Sequence, residues 1–348
     1  MVGGIWLFLT ILIPVTVSVL VVASFAGEGE WGSGRLSSVF SLDTSKGLVH
    51  QGWLWLVVIV PLAVAISLGL WEWPSYEFEM SSDGYKKFIE ISILPLAVMS
   101  LALPLAGLIS KFHSTQQTAK QIEVVSFKNN LDAFYTHRKE LISYFSAMNP
   151  VEYLGVLEFK YDLHPVLHVR FFNGTPEKGW PVANQETFKS VERGILQGAK
   201  YLIGVLEARE DRGISDLDCY LQGCKHIYLA AQSLHIREIT NHLASKGVLI
   251  RSASCDEGVY DLLTIGTTTV EVLAAIRFAR SFYDNLCDFS GVPRMEIPEG
   301  QEIVFLGGQR LLAGELKIER LHELEIAAMV LDGWARYDEN HPVNSEAT

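Results

Sequence analysis

Three apolar runs dominate the first third of the chain, and a differently patterned polypeptide follows them. From Met1 to Gly27 no side chain is charged, and the same holds from Gln51 to Trp71 and from Ile91 to Ser110. An α-helix rises about 1.5 Å per residue, so roughly 20 apolar residues cross the ~30 Å hydrocarbon layer of a bilayer. The pattern therefore predicts a transmembrane region over residues 1–110, with spans at about 5–25, 53–71 and 91–110. Three spans are preferred, with two as the alternative. The third holds Pro95 and Pro104 and is the one expected to bend or re-enter. A cleaved signal peptide is the other reading of the first run. No basic leader precedes that run, however, and the 21 residues of Ile5–Phe25 exceed the usual apolar core of about 7–15.

Beyond residue 110 the periodicity is mainly helical. Phe127, Leu131, Phe134, Leu141 and Phe145 share one face, with Lys128, Asp132, Lys139 and Glu140 away from it. This predicts a juxtamembrane stalk within residues 111–149, about 50 Å long, starting near Ser114 and ended by Asn149-Pro150. Ile195, Ala199, Leu202 and Leu206 mark another helix. Ser215 and Asp218 form a capping-box pattern for a helix through about Ser245, stopped by Gly247. Val270, Leu273, Ile276 and Phe282 mark a fourth, and Leu321, Leu324, Ala328 and Leu331 a fifth. Leu157–Tyr161 and Leu167–Phe171 alternate with a period of two, which suits a small hairpin. The expected fold is mainly α: N-terminal transmembrane helices, then a mostly helical domain over residues 150–340. The tail, residues 341–348, is expected to fray.

The flanks of the runs set orientation. Six of the eight tryptophans precede residue 74. Trp53 and Trp55, then Trp71 and Trp73, bracket the second run as interfacial anchors, because indole rings favour the headgroup layer. Lys111, Lys120, Lys128, Arg138 and Lys139 make the densest basic stretch beside any span, which assigns the C-terminal portion to the cytoplasm. Each span also carries proline: Pro14, Pro61, then Pro95 and Pro104. Proline is common in membrane helices, so ordinary kinks are one reading; helices that switch between packed and leaky arrangements are the sharper one. No ionisable side chain lies inside a span, which argues against a pump or proton-coupled transporter.

Charge and motifs narrow the chemistry. Residues 111–348 hold 24 Lys and Arg against 32 Asp and Glu, a net of −8, which argues against a general nucleic-acid binder. Docking onto a protein or a folded RNA–protein particle stays open. The chain has no phosphate-cradling glycine loop, no G-x-S-x-G elbow and no H-E-x-x-H pair. Cys219, Cys224 and His226, with His235, His242 and Cys255 downstream, lack the spacing of a zinc site and fit reduced thiols. Asp256, Glu257 and Asp261 fit a solvated turn. No enzymatic activity, cofactor, metal or small-molecule substrate is expected.

The stretch Ser110-Lys-Phe-His-Ser-Thr-Gln-Gln-Thr-Ala-Lys-Gln-Ile122, with Phe127-Lys-Asn-Asn130 and Phe134-Tyr-Thr-His-Arg-Lys-Glu-Leu141, carries a family likeness. It resembles the membrane effectors of bacterial retron anti-phage systems, which pair a polar Q-T-x-x-Q-I stalk with an N-x-x-x-x-Y-x-H-R helix. Leu167-His168-Val-Arg-Phe-Phe-Asn-Gly174 resembles a further family segment. The likeness covers about 60 residues, and the family usually has two spans where three are counted here. It implies a toxin of the inner membrane, acting in abortive infection. A reverse transcriptase with its multicopy single-stranded DNA (msDNA) would restrain it, and release would permeabilise or depolarise the membrane. The matching positions are Gln117, Lys120, Gln121, Asn129, Asn130, Tyr135, His137 and Arg138, candidate regulatory or partner contacts whose ordinary role is the wet face of a stalk. Membrane lipid and further copies of the chain are the other expected partners. A membrane-anchored sensor or scaffold that docks a partner through its helical domain is the alternative.

Overall fold

A computed structural model describes residues 2–77, 79–154, 157–207, 214–254, 258–306 and 316–337. Helix predominates, as the periodicity requires. By internal contacts the chain divides into two units, Met1–Lys128 and Asn129–Thr348.

In the first unit α1 (Val2–Ala26), the short α2 (Ser33–Val39), α3 (Gly52–Glu72) and α4 (Ser82–Ser100) follow in order. A turn at Leu101 separates α4 from α5 (Ala102–Ser146), whose later residues belong to the second unit. Three segments are long and apolar enough to cross a membrane: Ile5–Ala26, Gly52–Glu72 and Ser82–Ser146. The central one is α3, packed against both α1 and α4. It buries 28% of its most apolar window, against 11% for α1. Two of its glycines admit other close neighbours. At Gly52 a Cβ would meet the Val39 carbonyl oxygen at 2.5 Å, and at Gly69 it would meet the Trp73 ring at 2.5 Å.

The third apolar run is not one helix. Its bend lies at Leu101, whose N–H turns to Val98 O at 3.2 Å. Pro104 explains the position: lacking an N–H, it cannot bond the carbonyl of Ser100 four residues back, and its ring crowds that carbonyl. The helix that contains the expected stalk starts at Ala102, inside the third apolar run. With 45 residues, α5 runs about 68 Å.

In the second unit α6 (Val166–Phe171), α7 (Gln185–Leu206), α8 (Ile214–Ser233) and α9 (Thr269–Ser290) carry the core, with short α10 (Glu302–Leu306), α11 (Lys317–Leu321) and α12 (Ala327–Leu331) around them. α9 is buried on nearly every side, from Val272 and Leu273 through Phe278 and Phe282 to Leu286. Its ends are specified locally. The Thr268 side chain accepts from the Glu271 N–H at 3.2 Å, and Gly291 closes the helix in the left-handed region at φ 70°. Strands β1 (Val151–Tyr153) and β2 (Leu157–Phe159) form an antiparallel hairpin, and β3 (Phe172–Asn173) pairs with β4 (Val182–Ala183). A three-stranded antiparallel sheet has β5 (Val248–Ser254) between β6 (Gly258–Leu263) and β7 (Ala335–Tyr337).

Several sequence expectations need correction. The hairpin pairs residues 151–153 with 157–159, while residues 166–171 are helical. Ser215 is the second residue of α8 rather than its cap. That helix stops at Ser233, not Ser245, because His235 takes the left-handed conformation at φ 52° and Ile236 N–H reaches back to Ala231 O at 2.9 Å. The fifth helical stripe is broken by a π-helical turn at His322–Ile326, whose extra residue rotates the buried face. Ile318, Leu321 and Ile326 are buried, whereas Leu324 and Leu331 are exposed. Phe127 is also exposed, since buried positions on this part of α5 begin only at His137. Asp256, Glu257, Cys255 and the tail 341–348 lie outside the described residues.

Candidate functional sites: the spanning helices and a buried histidine pair

The four prolines occupy different settings. Pro14, Pro61 and Pro95 lie inside α1, α3 and α4, and Pro104 lies in the first turn of α5. Pro14 leaves the carbonyl of Thr10 without its usual donor four residues on. Ser67 of α3 fills that position, its Oγ donating to Thr10 O at 3.0 Å. A neighbouring helix thus repairs the break.

Three of the four tryptophans expected to anchor the second run have specific partners. Trp53 Nε1 donates to Phe40 O at 2.6 Å and Trp55 Nε1 to Val49 O at 2.8 Å, tying the start of α3 to the connection before it. Trp73 Nε1 donates to Ser92 Oγ at 3.1 Å. Trp71 is exposed, with its ring 6.4 Å from that of Trp6. Sequence inspection missed Arg35 of α2. Its guanidinium donates to Ala23 O at 2.7 Å and Ser24 O at 2.8 Å, carbonyls near the end of α1.

Along α5 the nominated residues split into wet and packed positions. Lys120, Gln121, Asn129 and Tyr135 are exposed. Lys120 pairs with Glu123 at 2.9 Å, and Gln117 Nε2 donates to Thr44 O at 3.4 Å. Asn130 Nδ2 donates to Glu177 O at 2.8 Å. Tyr135 and Arg138 flank a shallow groove of about 440 Å³.

His137 is different, for only 4% of it is exposed. Its Nδ1 lies 3.1 Å from Nε2 of His168, a residue of α6 that is 1% exposed. Around the His137 ring stand Phe172 at 4.7 Å, Trp180 at 5.0 Å and Phe289 at 5.2 Å, centroid to centroid. Phe134 meets the His168 ring edge-on at 5.2 Å. Burial pushes His168 down to about 4, helped by the positive charge of His137 and Arg138 nearby, so it is neutral at physiological pH. One ring nitrogen must donate and the other accept. The pair is a fastener between α5 and α6 inside an aromatic box.

A second histidine contact lies at the end of α8. His164 stacks on His235 at 4.7 Å, and Arg170 Nη1 donates to Ser233 O at 2.8 Å. Cys224 is fully buried and pushed up to about 12, chiefly by burial. Among the described residues no cluster of His, Cys, Asp and Glu has the geometry to hold a metal ion. Asp261 pairs with Arg336 at 3.8 Å across the sheet.

Comparison of the chain with protein families, curated proteins and solved structures finds no match.

Proposed function

We propose that this chain is a membrane-disrupting effector that acts without enzymatic chemistry on the bacterial inner membrane, its second unit facing the cytoplasm. The observation that carries the proposal is the character of the spanning helices. They expose most of their apolar surface, as at Ile5, Phe8 and Leu103, and bury little of it against one another. They are interrupted by prolines at Pro14, Pro61, Pro95 and Pro104. Such helices are completed by lipid or by further copies of the chain, and rearrangement at their breaks opens a leak. The likeness to retron effectors supplies a control: a reverse transcriptase with its msDNA restrains the toxin, docking along Gln117–Arg138 of α5.

Production of the intact chain from an inducible promoter, without neighbouring genes, tests this with a potential-sensitive dye. Rapid depolarisation, relieved by co-producing the cognate reverse transcriptase and its RNA, is the expected result. An unchanged potential, with the protein held in the carbonate-washed membrane fraction, overturns the effector reading. It favours the second one, a membrane-anchored scaffold. That reading has support in the exposed aromatic positions of α5, Phe127 and Tyr135, each 53% accessible.

A further inference from the structure

Beyond the membrane role, the second unit contains a polar cavity of about 370 Å³ beside α9, at the lower end of the size of small-molecule sites. Arg277, Arg280 and Asp284 face it from one side of that helix, spaced three and four residues apart. Tyr153, Arg294 and Phe305 also line it.

The cations are not equivalent. Arg277 Nε donates to Val304 O at 2.6 Å and Nη2 to Ile303 O at 3.3 Å, so it holds α10 in place. Arg294 is engaged by both carboxylate oxygens of Asp288, at 2.7 and 2.5 Å. Arg280 lies over the Phe305 ring at 5.1 Å, and its Nε faces Asp284 Oδ2 at 3.4 Å, an ion pair without hydrogen-bond geometry. Yet Arg280 Nε and Asp284 Oδ1 are enclosed and find no hydrogen-bond partner among the described residues. Enclosed polar atoms at a cavity wall call for a partner. Three guanidiniums face two carboxylates here, so the balance is positive and favours an anion. Arg280, ion-paired with Asp284 Oδ2 but not hydrogen-bonded at Nε, suits an acceptor oxygen, and Asp284 Oδ1 suits a hydroxyl. A guanidinium beside an aromatic ring suits a phosphate.

We propose that this cavity binds a small phosphorylated sugar, free or within a mononucleotide, its phosphate on Arg280 and a sugar hydroxyl on Asp284.

Calorimetry on the intact chain in detergent micelles tests this with ribose 5-phosphate, AMP, ribose and inorganic phosphate. Ribose 5-phosphate or AMP should bind, ribose should not, and inorganic phosphate should bind more weakly than the phosphorylated sugars. Arg280→Gln should weaken binding about tenfold or more, the loss expected for one charge-assisted hydrogen bond. Asp284→Asn should weaken the phosphorylated sugars and spare inorganic phosphate. Arg280→Lys retains the charge and serves as the folding control, with an unchanged circular dichroism spectrum. No heat from either phosphorylated sugar at millimolar concentration overturns the proposal. So does binding that is indifferent to Arg280→Gln, and so does inorganic phosphate binding as tightly as ribose 5-phosphate.

Discussion

Ser67 Oγ donates to Thr10 O across 3.0 Å, and the carbonyl it reaches is the one that Pro14 cannot serve. In water that carbonyl would be solvated; in hydrocarbon it must find a protein donor. The bond therefore couples proline in α1 to serine in α3. Ser67→Ala should weaken their association by about 0.6 kcal/mol, the mean for measured interhelical hydrogen bonds, and by no more than ~1.7 kcal/mol. In a Pro14→Ala background the restored N–H serves Thr10 itself, so Ser67→Ala should then cost almost nothing. Steric-trap unfolding in bicelles gives this double-mutant cycle. Additive losses would disprove the coupling.

The buried histidine pair makes a comparable claim in the second unit. His137→Leu leaves His168 Nε2 enclosed without its partner, at about 1–3 kcal/mol. His168→Leu does the same to His137. Replacing both removes two polar groups together, so the double variant should lose less stability than the two single losses added. Chemical denaturation of the four proteins measures this, and strict additivity would show that the 3.1 Å contact carries no energy.

Acid should loosen the same unit. Burial holds His168 and His322 near 4, against an ordinary value of 6.5, so each resists protonation while folded. His322 is hydrogen-bonded to the Tyr220 hydroxyl at 3.0 Å. The unfolded chain takes up these protons first as pH falls below 6.5, and the folded chain follows only near 4. Stability is therefore complete above that window, declines through it and levels off below. His168 alone accounts for about 3 kcal/mol of the decline. Melting temperatures measured from pH 7 downward should drop through this range. His168→Gln should flatten the slope, and an unaltered slope would remove His168 from the account.

Arg35 caps a helix whose last turn lacks any basic residue of its own. Its bond to Ser24 O serves a carbonyl near the open end of α1, and its bond to Ala23 O adds a second donor beside the Gly27 N–H. Arg35→Gln should cost about 1–2 kcal/mol locally. Proteolysis within residues 27–51 should then accelerate in detergent. An unchanged cleavage rate would show that α1 does not depend on this cap.

What the amino-acid pattern reveals depends on how far apart the partners lie. The apolar runs, α7 and α9 are legible because their signals repeat within one helix. The sheet was not foreseen, although Val248-Leu-Ile250 after Gly247 and the Gly258-Val-Tyr260 segment carry strand character, because β5 must also meet β7 more than 80 residues on. The π-helical turn at His322–Ile326 shifts the phase that a 3.6-residue period assumes, so Leu324, which that period puts inside, lies outside. His137 reads as an interruption of an apolar stripe only while His168 is out of view; with that partner, 31 residues distant, it continues the stripe. Thr268-x-x-Glu271 is a capping pattern that apolar spacing alone does not reveal.

Pro104 bears most directly on the proposed effector. It occupies the first turn of α5, three residues past the bend at Leu101, and denies Ser100 its helical donor. Pro104→Ala restores that N–H and removes the ring, so α4 and α5 should join into one straighter helix. If a bend within the membrane is needed for leakage, the variant should accumulate normally in membranes yet depolarise cells several-fold more slowly. Pro61→Ala, inside the central α3, should act in the same direction. Dye release from cells producing equal amounts of each protein separates the alternatives. Full toxicity in both variants would mean that the breaks in these helices are only tolerated irregularities, and the leak would have to arise from assembly of straight spans instead.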